Sequence, residues 1–272
     1  MGLNVKKLVS GSMICLSVGL VACQKQESPK VVAEADKTSP VSASEQPKQE
    51  QILPAIWAKP YRMDIPQQEI CHPETQDEVA ACTIYDLQSI KSNVDWIAQY
   101  YADAIKSDYA QAFEIAQSQG PVVDNKYYEG TSVAFINQRY NLVTFTRFTN
   151  AYSGGAHNIF HSQYDVFDLK SKKKLTLDDV LKPNAKAKVL ALLKEQNADK
   201  LKEYGTDLNE LTVSSNFYFG EYGLVFVYGL YEIAPFASGM PELYLSHDTF
   251  KDVLKSEYVP ELPDMSLSQE FS

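Results

Sequence analysis

A short apolar segment near the N-terminus ends in a cysteine, and this junction decides which part of the chain takes part in folding. Two lysines precede residues 8–20, an apolar run that Ser and Gly interrupt and that is too short to span a bilayer. Small Ala22 comes directly before Cys23. This arrangement is typical of a secretory signal peptide. We therefore predict that residues 1–22 are a signal peptide and that the folded body lies later in the chain.

The residues Leu20, Val21, Ala22 and Cys23 resemble a bacterial lipobox, whose cysteine is acylated after cleavage. The resemblance implies lipidation of Cys23 and a mature protein that is anchored to a membrane. Gln24, in place of Asp, favours the outer membrane and a position facing the periplasm. The alternative is an ordinary secretory signal that leaves Cys23 as a free thiol.

The stretch that follows is poor in the residues that build a core. Residues 24–51 are dominated by Gln, Lys, Glu, Ser, Pro and Ala, and they include no aromatic side chain. Such a segment cannot bury enough apolar surface to offset its ordering entropy. We predict a lipid-anchored flexible linker over residues 23–52, with a root-mean-square reach of about 30 Å.

Charge excludes one class of partner. The chain has 25 Lys and Arg against 35 Asp and Glu, and removal of residues 1–22 takes away two lysines, which leaves a net charge of −12. Phosphate binding needs a positive surface that such a chain lacks, so nucleic acid is not expected as a partner. The acidic balance favours basic partners.

Two cysteines lie in the exported part beyond Cys23. Because export leads to an oxidising compartment, Cys71 and Cys82 are predicted to form a disulfide, which for a loop of about a dozen residues stabilises by roughly 3 kcal/mol. The alternative is a redox or metal pair with His72, but the spacing is not that of a C-x-x-C motif.

Apolar periodicity predicts an α+β fold, in which an antiparallel β-sheet packs against two main helices at residues 93–118 and 184–204. Asn93 is the predicted N-cap of the first helix, whose aromatic stripe predicts core packing, and Gly205 closes the second. Further signals are strands at residues 131–135, 140–149, 164–169 and 242–245, a hairpin over 217–228, a capping box at 176–179, and a helix that Ser246 caps.

Three sets of motifs carry a family resemblance. They are Tyr152–His157; Phe167–Lys170 followed by Leu175–Asp179; and Gly223–Phe226 followed by Tyr231–Gly239. In their order and spacing, this part of the chain resembles the extracytoplasmic domain of unknown function shared by the anti-sigma factor RsiV and the peptidoglycan deacetylase PdaC. The resemblance implies an RsiV-like C-terminal domain over residues 150–272 and a smaller N-terminal companion lobe over residues 53–149.

The same resemblance implies a function. The RsiV branch binds lysozyme as a sensor, and the PdaC branch accompanies an enzyme that acts on the cell wall. We therefore expect a non-enzymatic envelope-binding protein without a cofactor, whose partner is an envelope protein or a cell-wall ligand, with lysozyme as the sharpest candidate. The motifs look structural, so no binding residue is carried over from the family.

Two histidines support the alternative function, a metal-assisted hydrolase that acts on peptidoglycan fragments. His157 and His161 are four residues apart and would point to one side of either a strand or a helix. Two imidazoles do not complete a metal site, so the pair is a weak candidate. Ser153 is not in a G-x-S-x-G elbow, and no catalytic residue is predicted. Gly154 and Gly155 favour a turn between strands, with an anion-binding loop as the alternative.

Overall fold

A computed structural model describes residues 53–76, 78–114 and 119–259. The predicted signal peptide, the lipidation site Cys23 and the whole of the predicted linker over residues 23–52 lie outside these residues. Within the described ranges, no helix is both long enough and apolar enough to cross a membrane.

Strands dominate the described residues. They are β1 (Ala58–Arg62), β2 (Glu69–His72), β3 (Ala81–Ser92), β4 (Lys126–Arg139), β5 (Leu142–Tyr152), β6 (Ile159–Asp168), β7 (Lys173–Leu175), β8 (Phe217–Phe219), β9 (Gly223–Val227) and β10 (Glu242–Ser246). The helices are α1 (Asp95–Asp108), α2 (Ala110–Phe113), α3 (Leu177–Val180), α4 (Lys186–Gln196), α5 (Ala198–Tyr204) and α6 (Phe250–Val253). Short 3₁₀ turns span Phe236–Ser238, His247–Thr249 and Ser256–Tyr258.

Seven strands form the main sheet in the order β1-β3-β4-β5-β6-β7, and β2 pairs with the other end of β3, beyond β1. Strands β3 and β4 run parallel because α1 and α2 connect them, and the other pairs are antiparallel. A second sheet has the order β10-β9-β8. The predicted α+β class is confirmed, with two sheets in place of one. The boundary predicted between residues 149 and 150 falls inside β5.

Helix α1 covers one face of the main sheet. Its buried side chains Ile97, Tyr101 and Ile105 are spaced four residues apart, which confirms that the aromatic stripe is core packing. The predicted N-cap is wrong, because the helix begins at Asp95 and Asn93 has other partners. The Asn93 side chain accepts a hydrogen bond from the Trp57 amide and donates one to the Ala55 carbonyl.

Two hydrophobic cores lie within the part of the chain that the structure describes. The N-terminal core lies between α1 and the main sheet and includes Leu87, Tyr101, Phe145 and Phe167. The C-terminal core lies among the second sheet, α4, α5 and α6 and includes side chains from both sheets. Val166 of β6 belongs to the C-terminal core and Phe167 to the N-terminal core, since successive strand residues point to opposite faces.

The second predicted main helix is interrupted. Helices α4 and α5 meet at Asn197, whose buried side-chain amide donates to the carbonyls of Leu193 and Tyr244, while its side-chain oxygen accepts from the Tyr244 amide. Gly205 ends α5 with a φ of 70°, as its sequence position predicts.

Two predicted caps have different outcomes. The capping box is confirmed: the Thr176 hydroxyl accepts from the Asp179 amide, and the Asp179 carboxylate accepts from the Thr176 amide. Ser246 makes no side-chain cap and precedes a 3₁₀ turn that leads into α6, so the cap predicted there is wrong.

Candidate binding surface

Two loops that are far apart in sequence meet beside the first residues of strand β6. One is the loop after β5, which contains His157, and the other connects β9 to β10. The His157 ring stacks on Phe236, with ring centroids 3.9 Å apart and planes 20° from parallel. The Tyr231 hydroxyl lies 3.3 Å from His157 Nε2, and the Tyr231 ring is 5.5 Å from that of Phe236. These contacts join two of the sequence motifs into one surface.

Two phenylalanines extend this surface onto the main sheet. Phe160 lies 6.1 Å from Phe236 between ring centroids, and Phe148 lies 6.2 Å from Phe160. We call the five residues Phe148, His157, Phe160, Tyr231 and Phe236 the aromatic patch. Tyr231 is 60% exposed and Phe148 is 38% exposed. Contiguous aromatic side chains that reach the surface define a candidate interaction site.

Strand pleating explains why Phe148 and Phe160 share a face. In the β5–β6 register Phe148 pairs with Ser162 and Asn150 pairs with Phe160, so the two rings are diagonal neighbours on one face. Phe145 and Phe167 point to the opposite face, where they contact Tyr101 of α1. The patch therefore lies on the face of the main sheet that α1 does not cover.

Glycine permits the turn that brings His157 to Phe236. Gly154 and Gly155 have φ angles of 93° and 97°, in the region that other residues rarely adopt. The Tyr152 hydroxyl donates to the Gly155 carbonyl at 3.3 Å and closes the loop. The predicted turn between strands is present.

Both ring nitrogens of His157 face oxygen atoms of the protein. Nδ1 lies 3.2 Å from the Asn158 carbonyl, which only accepts hydrogen bonds. Nδ1 therefore carries the proton in the neutral ring, and Nε2 accepts from the Tyr231 hydroxyl. This arrangement gives His157 a role in joining the two loops.

The two histidines do not share a side, which corrects the expectation from their spacing. Strand β6 begins at Ile159, so the chain between His157 and His161 is part loop and part strand. His157 contacts Phe236, which in turn contacts Phe160, and the pleat turns His161 to the opposite face from Phe160. Among the described residues, the one group of three closely spaced metal-ligand side chains includes neither histidine.

That group consists of Glu69, Cys71 and Cys82. The sulfurs of Cys71 and Cys82 lie 2.11 Å apart, which is the distance of a disulfide, and the two residues are directly opposite in the β2–β3 pair. Glu69 forms an ion pair with Lys126. The geometry agrees with the predicted structural bridge and gives no support to a metal pair with His72.

A cleft of about 300 Å³ adjoins the patch at Tyr231. Three of its lining residues are acidic, namely Asp207, Glu210 and Glu232, and none is Lys, Arg or His. Glu232 Oε2 accepts a hydrogen bond from the Gly229 amide, so this carboxylate helps to fix its own loop. The rest of the lining is Tyr204, Gly205, Thr206, Leu211, Tyr231, Ile233, Ala234 and Pro235.

Sequence reasoning missed the role of Tyr231. Its φ of 63° is unusual for a residue with a side chain, and this conformation accompanies the exposed ring. The buried residues that anchor this loop are Ile233 and Ala234, whereas Phe236 is only half-buried. No local sequence signal distinguishes a ring that packs inward from one that joins a surface patch.

A charged group lies buried in the N-terminal core. The Asp165 carboxylate accepts from the Tyr101 hydroxyl at 2.9 Å and pairs with Lys174 at 2.8 Å. Burial, together with the charge of Asp165, raises the pKa of Tyr101 well above its usual value. Burial by itself lowers the pKa of Lys174. The hydrogen bonds to Asp165 and Tyr100 raise it by a larger amount, so the pKa of Lys174 lies above its usual value. The network ties α1 to β6 and β7.

Comparison with known proteins places the second half of the chain near one family. Residues 164–248 match the family model described as "Protein of unknown function (DUF3298)". This segment contains Phe236 and Tyr231 but not Phe148, His157 or Phe160. No curated protein matches the chain.

Two solved structures have a similar fold. A DUF3298 family protein from Pseudomonas aeruginosa PAO1 is 17% identical with a TM-score of 0.54, and the match covers 77% of this chain and 99% of that one. A DUF3298 family member from Bacteroides fragilis is 19% identical with a TM-score of 0.50, and the match covers 74% of this chain and 94% of that one. At these identities the likeness concerns the fold alone.

Proposed function

We propose that this protein is a non-enzymatic binding protein of the bacterial envelope that holds its ligand on the aromatic patch. The observation that carries the proposal is the meeting of two motifs, more than 70 residues apart, in one partly exposed set of rings. Aromatic side chains are enriched at protein interfaces, where a few of them supply most of the binding energy.

The proposed location rests on the N-terminal sequence. Lipidation at Cys23 would anchor the protein, and the linker over residues 23–52 would hold the folded domain near the outer membrane in the periplasm. Labelled palmitate should enter the wild-type protein and not the Cys23→Ser variant. Incorporation into the variant, or none into the wild type, contradicts the anchor.

The partner that we propose is a protein, with lysozyme as the first candidate because of the resemblance to RsiV. Acidic charge supports a basic partner, since complementary charge speeds encounter and adds specificity. Because exposed charges are screened by salt, the affinity should fall as the ionic strength rises.

Titration calorimetry with c-type lysozyme tests this candidate. The mature chain with Cys23→Ser is titrated at low and at physiological salt, beside Tyr231→Ala and Phe236→Ala. Each patch variant should weaken binding by about five- to thirtyfold. The matched control is Tyr222→Ala, which removes a 74% exposed tyrosine from the β8–β9 turn and should leave the affinity unchanged.

No binding at low salt removes lysozyme as the ligand. Equal losses for Tyr222→Ala and the two patch variants would move the site away from the patch. In either case, capture from an envelope extract with the wild type and Tyr231→Ala compares the ligands that depend on the patch.

A further inference from the structure

Tyr231 belongs to both the aromatic patch and the acidic cleft. Its ring packs near Phe236, and the same residue lines the cleft together with Glu232. A ligand segment that lies on the patch can therefore extend a side chain into the cleft without leaving the surface. That side chain would contact the residues that line the cleft.

The cleft is complementary to a cation. Asp207, Glu210 and Glu232 contribute three carboxylates to its lining, and no lining residue supplies a compensating positive charge. Asp207 Oδ1 accepts from the Asn209 amide and Glu232 Oε2 from the Gly229 amide, and each carboxylate has a second oxygen. An anionic ligand would be repelled by this lining.

These acids do not form a cluster close enough to chelate a metal ion. Within the described ranges, the one set of three ligand atoms within 4.8 Å of one another is at Glu69, Cys71 and Cys82, not in the cleft. A guanidinium group offers five N–H donors in a planar fork and is suited to separated carboxylates. It also stacks on aromatic rings, and Tyr204 and Tyr231 line the cleft.

We infer that the protein partner presents an arginine whose guanidinium enters this cleft, while neighbouring apolar side chains of the same segment cover the aromatic patch. The inference rests on the proposed function, which it extends from a basic protein to a defined chemical group. The occupant follows from charge complementarity and from the continuity of the patch with the cleft through Tyr231.

A small probe tests the cleft without any protein partner. The mature chain with Cys23→Ser is labelled with ¹⁵N and titrated with N-acetyl-arginine methylamide. The citrulline analogue, which is neutral and nearly isosteric, is the matched ligand control. The arginine probe should shift the backbone amides of Thr206, Ile233 and Ala234, and the citrulline probe should leave them in place.

Charge-removing variants identify the groups that bind the probe. Glu210→Gln and Glu232→Gln should each weaken binding by about two- to fivefold, as expected for exposed ion pairs. Glutamine at position 232 retains an oxygen that accepts from the Gly229 amide. The control Glu221→Gln removes an exposed acid from the β8–β9 turn and should have no effect.

The result that overturns the inference is an absence of shifts at the cleft, or equal shifts with arginine and citrulline. This outcome is separate from the lysozyme test. Binding of the arginine probe without binding of lysozyme leaves the cleft assignment in place and removes lysozyme as the candidate partner. Binding of lysozyme that Glu210→Gln and Glu232→Gln do not change refutes the arginine contact and retains the patch.

Discussion

Strands β5 and β6 supply aromatic residues to two clusters, of which one is buried and the other is partly exposed. Phe145 and Phe167 are completely buried, and their rings pack edge to face at 6.1 Å. Phe148 and Phe160 lie on the other face of the same strands, where Phe148 is 38% exposed. The two pairs have the same chemistry and nearly the same sheet position.

The difference comes from what covers each face. Helix α1 places Tyr101 against Phe145 and Phe167 and closes the N-terminal core. On the other face, Phe160 meets Phe236 and through it His157, both from loops that leave the rings accessible. An aromatic pair on a strand therefore becomes core or exposed surface according to the layer that packs on it.

The largest expected effect separates the two clusters directly. Phe145→Ala should lower the free energy of unfolding by about 3–5 kcal/mol, because it leaves a cavity beneath α1. Phe148→Ala should lower it by less than about 1 kcal/mol, because the ring is already partly in water. Urea unfolding followed by circular dichroism measures both values. Similar losses for the two variants would contradict the assignment of one pair to the core and the other to the surface.

A smaller effect compares one hydroxyl from each cluster. Tyr101→Phe should destabilise by about 1–3 kcal/mol, since it removes a hydrogen bond to the buried Asp165 carboxylate. Tyr231→Phe removes a hydroxyl whose partner, His157, is exposed, and should leave the stability nearly unchanged. The same unfolding assay decides the comparison, and a larger loss for Tyr231→Phe would show that the loop junction is a structural element.

The capping box at Thr176 should contribute an intermediate amount to the free energy of unfolding. Bonds from Lys173 and Thr176 lower the pKa of Asp179 to about 2. Because the folded state favours the ionised carboxylate, its contribution is present above about pH 4 and is lost as the pH falls towards 2. Removal of a cap typically costs about 1 kcal/mol.

Stability curves of the wild type and Asp179→Asn should therefore differ at neutral pH and converge between about pH 4 and pH 2. Urea unfolding across this range measures the difference. A constant gap between the two curves would exclude the carboxylate charge as its source.

The smallest expected effect concerns the backbone of the patch. Tyr231 has a φ of 63°, so Tyr231→Gly should relieve strain and change the stability by no more than about 1 kcal/mol. The same variant should bind the ligand less well, because the exposed ring is gone. A strong loss of stability would mean that the Tyr231 ring belongs to the hydrophobic core, and it would contradict the assignment of this ring to the surface.

Much of the local structure was predictable from sequence. The stripe of α1, the capping box at Thr176 and the glycine at the end of α5 are all read from neighbours within about four residues. Strands β1, β2 and β3 carried no assignment, although β3 lies at the centre of the N-terminal half of the sheet. Its pairing with β4 depends on the connection through α1, which a pattern within one strand does not contain.

The candidate site was only partly predictable. His157 was a weak metal-ligand candidate because of its spacing from His161, and the structure adds a contact with Phe236 that no spacing predicted. Tyr231 and Phe236 belong to a sequence motif for which no contact with another part of the chain was predicted. Sequence spacing describes neighbours along one element, whereas this surface depends on contacts between residues 74 positions apart.

By itself, the sequence determined the α+β class and the faces along which apolar side chains alternate, whereas the export signal ending at Cys23 stays a prediction. These follow from composition and from the repeat lengths of helix and strand, which are local properties. Only the tertiary structure decided which aromatic face α1 covers and which loops reach the other one. Burial depends on the packing of whole layers, so identical side chains on one strand pair acquire different roles.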